Sequence, residues 1–299
     1  MNARAEPVLG NLDDIGTRIP ERPSAAKRSP NNRPRKPWLA LVLGIVHAPI
    51  AFAYVGRAIW GLALLALQIA IVAGAGWSGW MQSIVGIWTT FALAGVALLI
   101  GIFAPWIIAR GQTRIYEPRW YNRWYGYLAL FAALALPLQY AFMNKERVFG
   151  FGTYRVPSAS MLPTIAPGDF IVVDTRPQTI AALHANDVVI VTSAAHPGQT
   201  FARRIVGMPG QHVLVGDEGV TVDGEPAPRA HVQGSDAMPP SLMKFADVTL
   251  GADELYLMGD NRANSLDSRT EGPHVRSDLR GKITTIWFSH EWWRLGHVP

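Results

Sequence analysis

The chain has 299 residues, more than one membrane hairpin or one small β domain requires, so two unlike halves are expected. Apolar residues make up 49% of it, charged residues only 16%, and 11 residues are tryptophan, a balance outside the soluble range that points to a membrane protein. The formal charge of +5 is unevenly placed, and the absence of cysteine excludes a disulfide framework, thiolate chemistry and any cysteine-based metal site.

Residues 1–37 hold eight Lys/Arg, four acids and six prolines. Such a segment has too little apolar surface to fold alone and is expected to be a disordered basic tail on the cytosolic side. Basic tails also bind nucleic acid, but these charges adjoin a membrane segment, which argues for the lipid bilayer as partner and against nucleic acid. Four apolar stretches follow, at 38–56, 58–76, 84–108 and 127–143. A span needs about twenty apolar residues, and the last three stretches qualify. The first holds His47 and Pro49 in its middle and meets the second through only Gly56 and Arg57, so it is expected to lie along or dip into the inner interface. Between 109 and 126, Arg110, Arg114, Arg119 and Arg123 oppose one acid, which places that loop in the cytosol beside the tail. The sequence therefore predicts a helical membrane region over 38–143 with three spans, and an extracytoplasmic half over 144–299. Within the spans the polar groups are chiefly Gln68 and Gln139, with no Asp, Glu, Lys or Arg, which argues against an ion or proton path.

Beyond residue 150 the pattern changes to short β-type runs bounded by turn residues: FIVVD (170–174), DVVIVTS (187–193), HVLVGD (212–217), VTVDG (220–224) and ITTIWFS (283–289). They predict a mainly-β domain. Val222-Asp223-Gly224-Glu225 reads as a turn with glycine where φ must be positive, so 212–226 is expected to hold a hairpin. The C-terminal EWWRLGHVP, with Trp292 and Trp293, either rests against a membrane surface or closes the β domain.

Three stretches in this half carry chemistry: PSASMLPT at 157–164, FARRIVGMPG at 201–210 and MGDNRANSLDSR at 258–269. A lone serine in a loop is usually structural, but three motifs in order are far more specific than one. Together they resemble the bacterial type I signal peptidases, membrane-bound serine endopeptidases that remove signal peptides from exported proteins. The resemblance runs from Tyr154 to the C-terminus. It implies a signal-peptidase-like β fold, no cofactor, preprotein signal peptides as partners and the bacterial inner membrane as location, while the multi-pass front half read above is only loosely similar to the family's usual one or two anchors. Ser160 would be the nucleophile, with the Ser158 hydroxyl and the Ser160 N–H as oxyanion-hole donors. In the late motif, Asp260, Asn261 and Arg262 would support the site, Ser265 would orient the general base, and Asp267 with Arg269 would form a structural ion pair. Ala263 departs from the family, which usually has an acid there. Val156, Met161 and Ala202 would line a shallow apolar substrate pocket, with Ala202 where the family commonly has a larger aliphatic residue.

The larger departure is in the middle motif. An ungapped match of VGMPG puts Arg203 on the family's general-base lysine and Arg204 on the arginine that follows it. A buried lysine can lose its proton and accept one from serine. Arginine offers five donors and no acceptor. Lys145, Lys244, Lys282 and His212 are the candidates to replace the base, a histidine serving so in the related endoplasmic-reticulum enzymes. His184, His196, His231 and His274 read as surface loop residues with no metal-site spacing. Two functions from different classes follow: an active signal-peptidase-like endopeptidase, or a catalytically impaired relative that binds peptides or assists a partner without cleaving.

Overall fold

A computed structural model describes residues 35–112, 120–193, 198–216, 219–227, 231–233 and 244–299. The tail up to residue 34, Arg114, Arg119 and His196 lie outside the described residues. The apolar stretch 38–56 folds as two short helices, α1 (Pro37–Val46) and α2 (Ala48–Tyr54), separated at His47, whose backbone is extended. Proline at position 49 sits at the start of α2, where its missing N–H costs nothing. Neither helix reaches the length of a span, and α2 is buried along its whole length after Ala48. α3 (Ala58–Ser78), α4 (Ile84–Gly111) and α5 (Trp124–Met143) are long and apolar enough to cross a membrane. Their contacts with α1 and α2 run through small residues. A Cβ on Gly44 would stand 2.9 Å from the backbone of Ile102, and one on Gly61 would stand 2.6 Å from the Cα of Pro49. Backbones this close are how helices associate where no water drives them together.

A short helix, α6 (Lys145–Phe149), leads from α5 into the β half. Eleven strands follow among the described residues: β1 (Phe151–Arg155), β2 (Phe170–Asp174), β3 (Val188–Thr192), β4 (Thr200–Gly207), β5 (His212–Gly216), β6 (Gly219–Val222), β7 (Glu225–Pro226), β8 (Asp247–Thr249), β9 (Glu254–Met258), β10 (His274–Val275) and β11 (Leu279–Phe288). Seven form one antiparallel sheet in the order β1-β2-β11-β3-β4-β9-β10, and four form a second in the order β7-β6-β5-β8. The five expected runs all fall on strands. The ten-residue β11 pairs with both β2 and β3, and register shifts at Leu279/Gly281, Ile283/Thr285 and Ile286/Phe288 curl it. Inward-facing residues such as Ile171, Val173, Ile190 and Ile283 fill the curl together with Met161 and Ile165. The predicted turn joins β6 to β7, with Asp223 at φ 51° and Gly224 at φ 84°, the two positive φ values of a tight hairpin.

The two halves are packed together. Met81 of the turn between α3 and α4 and Ile87 of α4 share a buried cluster with Phe149, Phe151 and Val172, against which Val72 and Trp287 pack. Polar bonds close the seam: Trp77 Nε1 donates to Val148 O at 3.0 Å, and Arg176, held by Asp174, donates to Trp77 O at 2.8 Å. Asp174 sits below the ordinary carboxylate range because, against the cost of burial, Arg176 and Thr179 donate to it. Trp292 and Trp293 are 76% and 64% exposed, but the C-terminal segment that carries them folds back on the β domain: Gly296 N donates to Ile286 O at 2.8 Å, Ile286 N donates to His297 O at 3.0 Å, and Arg294 pairs with Asp169 at 3.0 Å.

Gly76 of α3 has no room for a side chain, since a Cβ would overlap Phe149 O, while a Cβ on Gly74 meets nothing within 4 Å. Gly76→Val is therefore expected to cost about 1–3 kcal/mol by overpacking. In thermal unfolding of the detergent-solubilised protein this lowers Tm by several degrees, and Gly74→Val leaves Tm within about 2 °C of wild type.

Candidate active site

Ser160 lies in the loop between β1 and β2. Backbone bonds pin the ends of that loop, Val156 N to Asp169 O at 2.9 Å and Gly168 N to Val156 O at 2.7 Å. Met161 and Ile165, both fully buried, anchor its middle in the core. The late motif holds it from the other side. Asn261 N donates to Ser160 O at 3.0 Å, and Asn261 Nδ2 donates to Ala159 O at 3.1 Å. Gly259 must be glycine, because a Cβ there would stand 2.6 Å from Ser160 O and overlap Ser265.

β4 brings the two arginines, and the twofold alternation of a strand sends them to opposite faces. Arg204 forks onto Asp260, Nε to Oδ1 at 2.8 Å and Nη2 to Oδ2 at 2.6 Å, and Thr164 of the serine loop donates its hydroxyl to the same carboxylate. Arg269 forks onto Asp267 with both bonds at 2.9 Å and donates to Arg262 O at 2.7 Å. Arg262 in turn donates to Gly259 O at 3.0 Å. All these side chains are buried. Charged groups survive there because every pair is bidentate and its remaining donors find oxygens.

Arg203 points at the serine. Its Nη1 donates to Ser160 Oγ at 3.1 Å and to Ala202 O at 2.7 Å, and Nε and Nη2 both donate to Leu266 O. It is 3% exposed, with its guanidinium carbon 5.0 Å from the Phe201 ring centroid. No carboxylate stands within ion-pair distance of it among the described residues. Burial pulls its pKa down, while the more distant charges of Asp267 and Glu271 oppose that shift. Ser160 Oγ also lies 3.1 Å from Ser158 Oγ. The serine is thus set between a hydroxyl and a cation, with no proton acceptor other than Ser158 bonded to it among the described residues. Ser265 Oγ is buried and has no hydrogen-bond partner among the described residues.

None of the candidate replacement bases is at Ser160. Lys145 Nζ donates to Thr153 at 2.9 Å, Lys282 pairs with Asp187 at 2.6 Å, and Lys244 is exposed. His212 pairs with Asp247 at 2.7 Å in the smaller sheet. His274 is not a surface residue: it lies on β10, 6% exposed, with Glu271 and Asp278 at 3.7 and 3.9 Å. Burial lowers its pKa against the pull of those two carboxylates.

A cavity of about 270 Å³ runs along β1 and β4 beside Ser158. Val156 and Ala202 line it as expected, but Met161 does not. It is fully buried in the cluster beneath, because the serine loop turns its side chain into the curl of the sheet. Tyr154, Ile190 and Phe201 also line the cavity and were missed from the sequence. Strand alternation could have found Tyr154, two residues before Val156; Ile190 comes from β3, where sheet pairing sets it opposite Ala202, and no local signal names it.

The family model described as "Signal peptidase, peptidase S26" matches residues 127–288. The "Probable signal peptidase I-1" of Synechocystis sp. is 28% identical over 179 residues, 56% of this chain and 84% of that protein. "Signal peptidase I T" of Bacillus subtilis is 32% identical over 131 residues, 41% of this chain and 66% of that protein. "Signal peptidase I" of Pseudomonas aeruginosa is 29% identical over 199 residues, 51% of this chain and 70% of that protein. Among solved structures, a signal peptidase I from Enterococcus faecalis V583 matches at 20% identity and a TM-score of 0.28, covering 34% of this chain and 97% of that one.

Removing one member of a buried ion pair strands its partner, at a cost of about 3–5 kcal/mol. Asp260→Asn is expected to move the urea unfolding midpoint down accordingly. The paired replacement Arg204→Met with Asp260→Leu leaves no stranded charge and should recover more than half of that loss.

Proposed function

The chain belongs to the signal peptidase family, peptidase S26, and from that premise we propose how its residues carry out the cleavage and how the protein sits in the membrane. It is a membrane-anchored serine endopeptidase of the signal peptidase type, and it removes signal peptides from preproteins. Family membership does not favour the alternative of a binding protein without turnover.

In this proposal Ser160 Oγ attacks the scissile carbonyl carbon of an extended peptide lying along the cavity between β1 and β4. The Ser158 hydroxyl and the Ser160 N–H receive the charge that develops on the carbonyl oxygen. Collapse of the tetrahedral adduct breaks the C–N bond as the nitrogen takes a proton from water, releasing the new N-terminal amine, and a second water then hydrolyses the acyl-enzyme. The Arg204–Asp260 and Arg269–Asp267 pairs, with Asn261 and Arg262, keep the serine loop in register. Ala202 leaves room in the pocket for a small or somewhat larger aliphatic side chain.

Arg203 takes a role that lysine does not. Its buried guanidinium donates to Ser160 Oγ and lowers the cost of negative charge there, while the proton itself passes to hydroxide from solvent. The 3.1 Å contact between Arg203 Nη1 and Ser160 Oγ is the observation that supports this reading. The membrane arrangement proposed with it is a cytosolic tail to residue 37, three spans and one re-entrant segment over 38–143, and residues 144–299 on the extracytoplasmic face of the bacterial inner membrane. Four arginines in the loop 109–126 and eight basic residues in the tail support that sidedness.

The test is cleavage of a preprotein with a small-x-small site by the purified protein in detergent. Ser160→Ala is expected to abolish it. The logarithm of the wild-type rate should climb steadily with pH, since residue 203 does not titrate in the accessible range. Arg203→Lys supplies a neutral amine above its own lowered pKa and partners Ser265. It should cleave about 10²-fold faster and level off once the lysine is deprotonated. A wild-type plateau near neutral pH that Arg203→Lys leaves in place would mean another group is the base. Separately, Ala202→Leu should cut cleavage after valine far more than after alanine, measured as the ratio of kcat/KM values.

A further inference from the structure

A second cavity, of about 430 Å³, lies where the membrane helices meet the β half, and no residue of the serine site lines it. Leu65 to Val72 of α3 form one wall, Phe142 of α5 another, and Phe151 and Trp287 close it from the β half. The lining is almost entirely apolar. Phe142 and Phe91 on its rim are 67% and 47% exposed, so it opens sideways toward the medium around the spans. For helices of this length and composition that medium is lipid.

One charge stands at the mouth. Lys145 lines the cavity two residues past the end of α5, the depth at which hydrocarbon gives way to head groups. Its ammonium donates to Thr153 Oγ1 at 2.9 Å and lies 5.9 Å from the Phe142 ring, and no carboxylate is within ion-pair distance among the described residues. An ammonium carries three donors, so it can still bind an anion beside Thr153.

We propose that this cavity holds one anionic glycerophospholipid of the adjacent leaflet, its phosphate on Lys145 and one acyl chain between α3, α5 and β1. The dimensions suit a chain. Leu65 to Val72 cover about 10 Å of helix axis, and at about 30 Å³ for each water-sized group the volume holds roughly a dozen methylenes. A transmembrane signal helix does not fit, because a cylinder about 10 Å across needs roughly 800 Å³ over the same length. The lipid would act as mortar between the spans and the β half, and it takes no part in cleavage.

Native mass spectrometry of the full-length protein, stripped by detergent exchange and then offered phosphatidylglycerol or phosphatidylcholine with the same chains, tests this. One phosphatidylglycerol should be retained per chain, about tenfold more tightly than phosphatidylcholine, as one charge-assisted contact implies. Lys145→Gln should remove that preference, and Val72→Trp, which fills the cavity, should remove retention of both lipids. Both variants should cleave preprotein at the wild-type rate in detergent. Equal retention of the two lipids, or retention unchanged in Val72→Trp, overturns the proposal. So does a photo-crosslinker at Phe142 that captures preprotein instead of lipid.

Discussion

The bidentate pair between Arg204 and Asp260 is the contact on which the serine site depends. It joins β4 to the late motif, and because Thr164 donates to the same carboxylate it also ties in the serine loop. Three segments far apart in the chain are thereby set relative to one another by a single buried carboxylate. Both partners are almost wholly excluded from water, so slack in the geometry would leave a charge unsatisfied at high cost. Strand alternation then does the rest: with Arg204 held on one face of β4, residue 203 has to emerge on the other, against Ser160.

What emerges there is a cation that only donates. Ser160 is therefore held by a buried donor, and among the described residues the Ser265 hydroxyl is buried without a hydrogen-bond partner. The Arg203 guanidinium reaches the Leu266 carbonyl, which takes both Nε and Nη2. The surrounding ion pairs, glycine contact and loop bonds hold the frame around it.

The seam between the membrane helices and the sheet follows another rule. Its contacts are aromatic and aliphatic, sealed by Trp77 and Arg176 donating to backbone carbonyls. These bonds lie at the exposed margin of the seam and tie its two sides together. The β half is thereby seated on the helices and does not hang from a linker.

Local signals determined a great deal of this protein from the sequence alone. Runs such as FIVVD and DVVIVTS declare strands because they are short, continuous, rich in β-branched residues and bounded by turn residues, as suits strands buried on both faces, and spans declare themselves by apolar length. The three motifs singled out Ser158 and Ser160, whose hydroxyls stand 3.1 Å apart, and the Asp267–Arg269 ion pair, each with its partner close in the chain. Only tertiary structure decided the rest. Arg204 and Asp260 are 56 positions apart, and nothing local to either names the other. Met161 reads as a pocket residue until the serine loop turns it into the core, and His274 reads as a loop residue until β10 buries it. β4 hides two buried arginines in a strand whose pattern resembles an exposed segment. In each case the deciding quantity is the register of distant strands, which sets what a side chain faces and which sequence periodicity does not record.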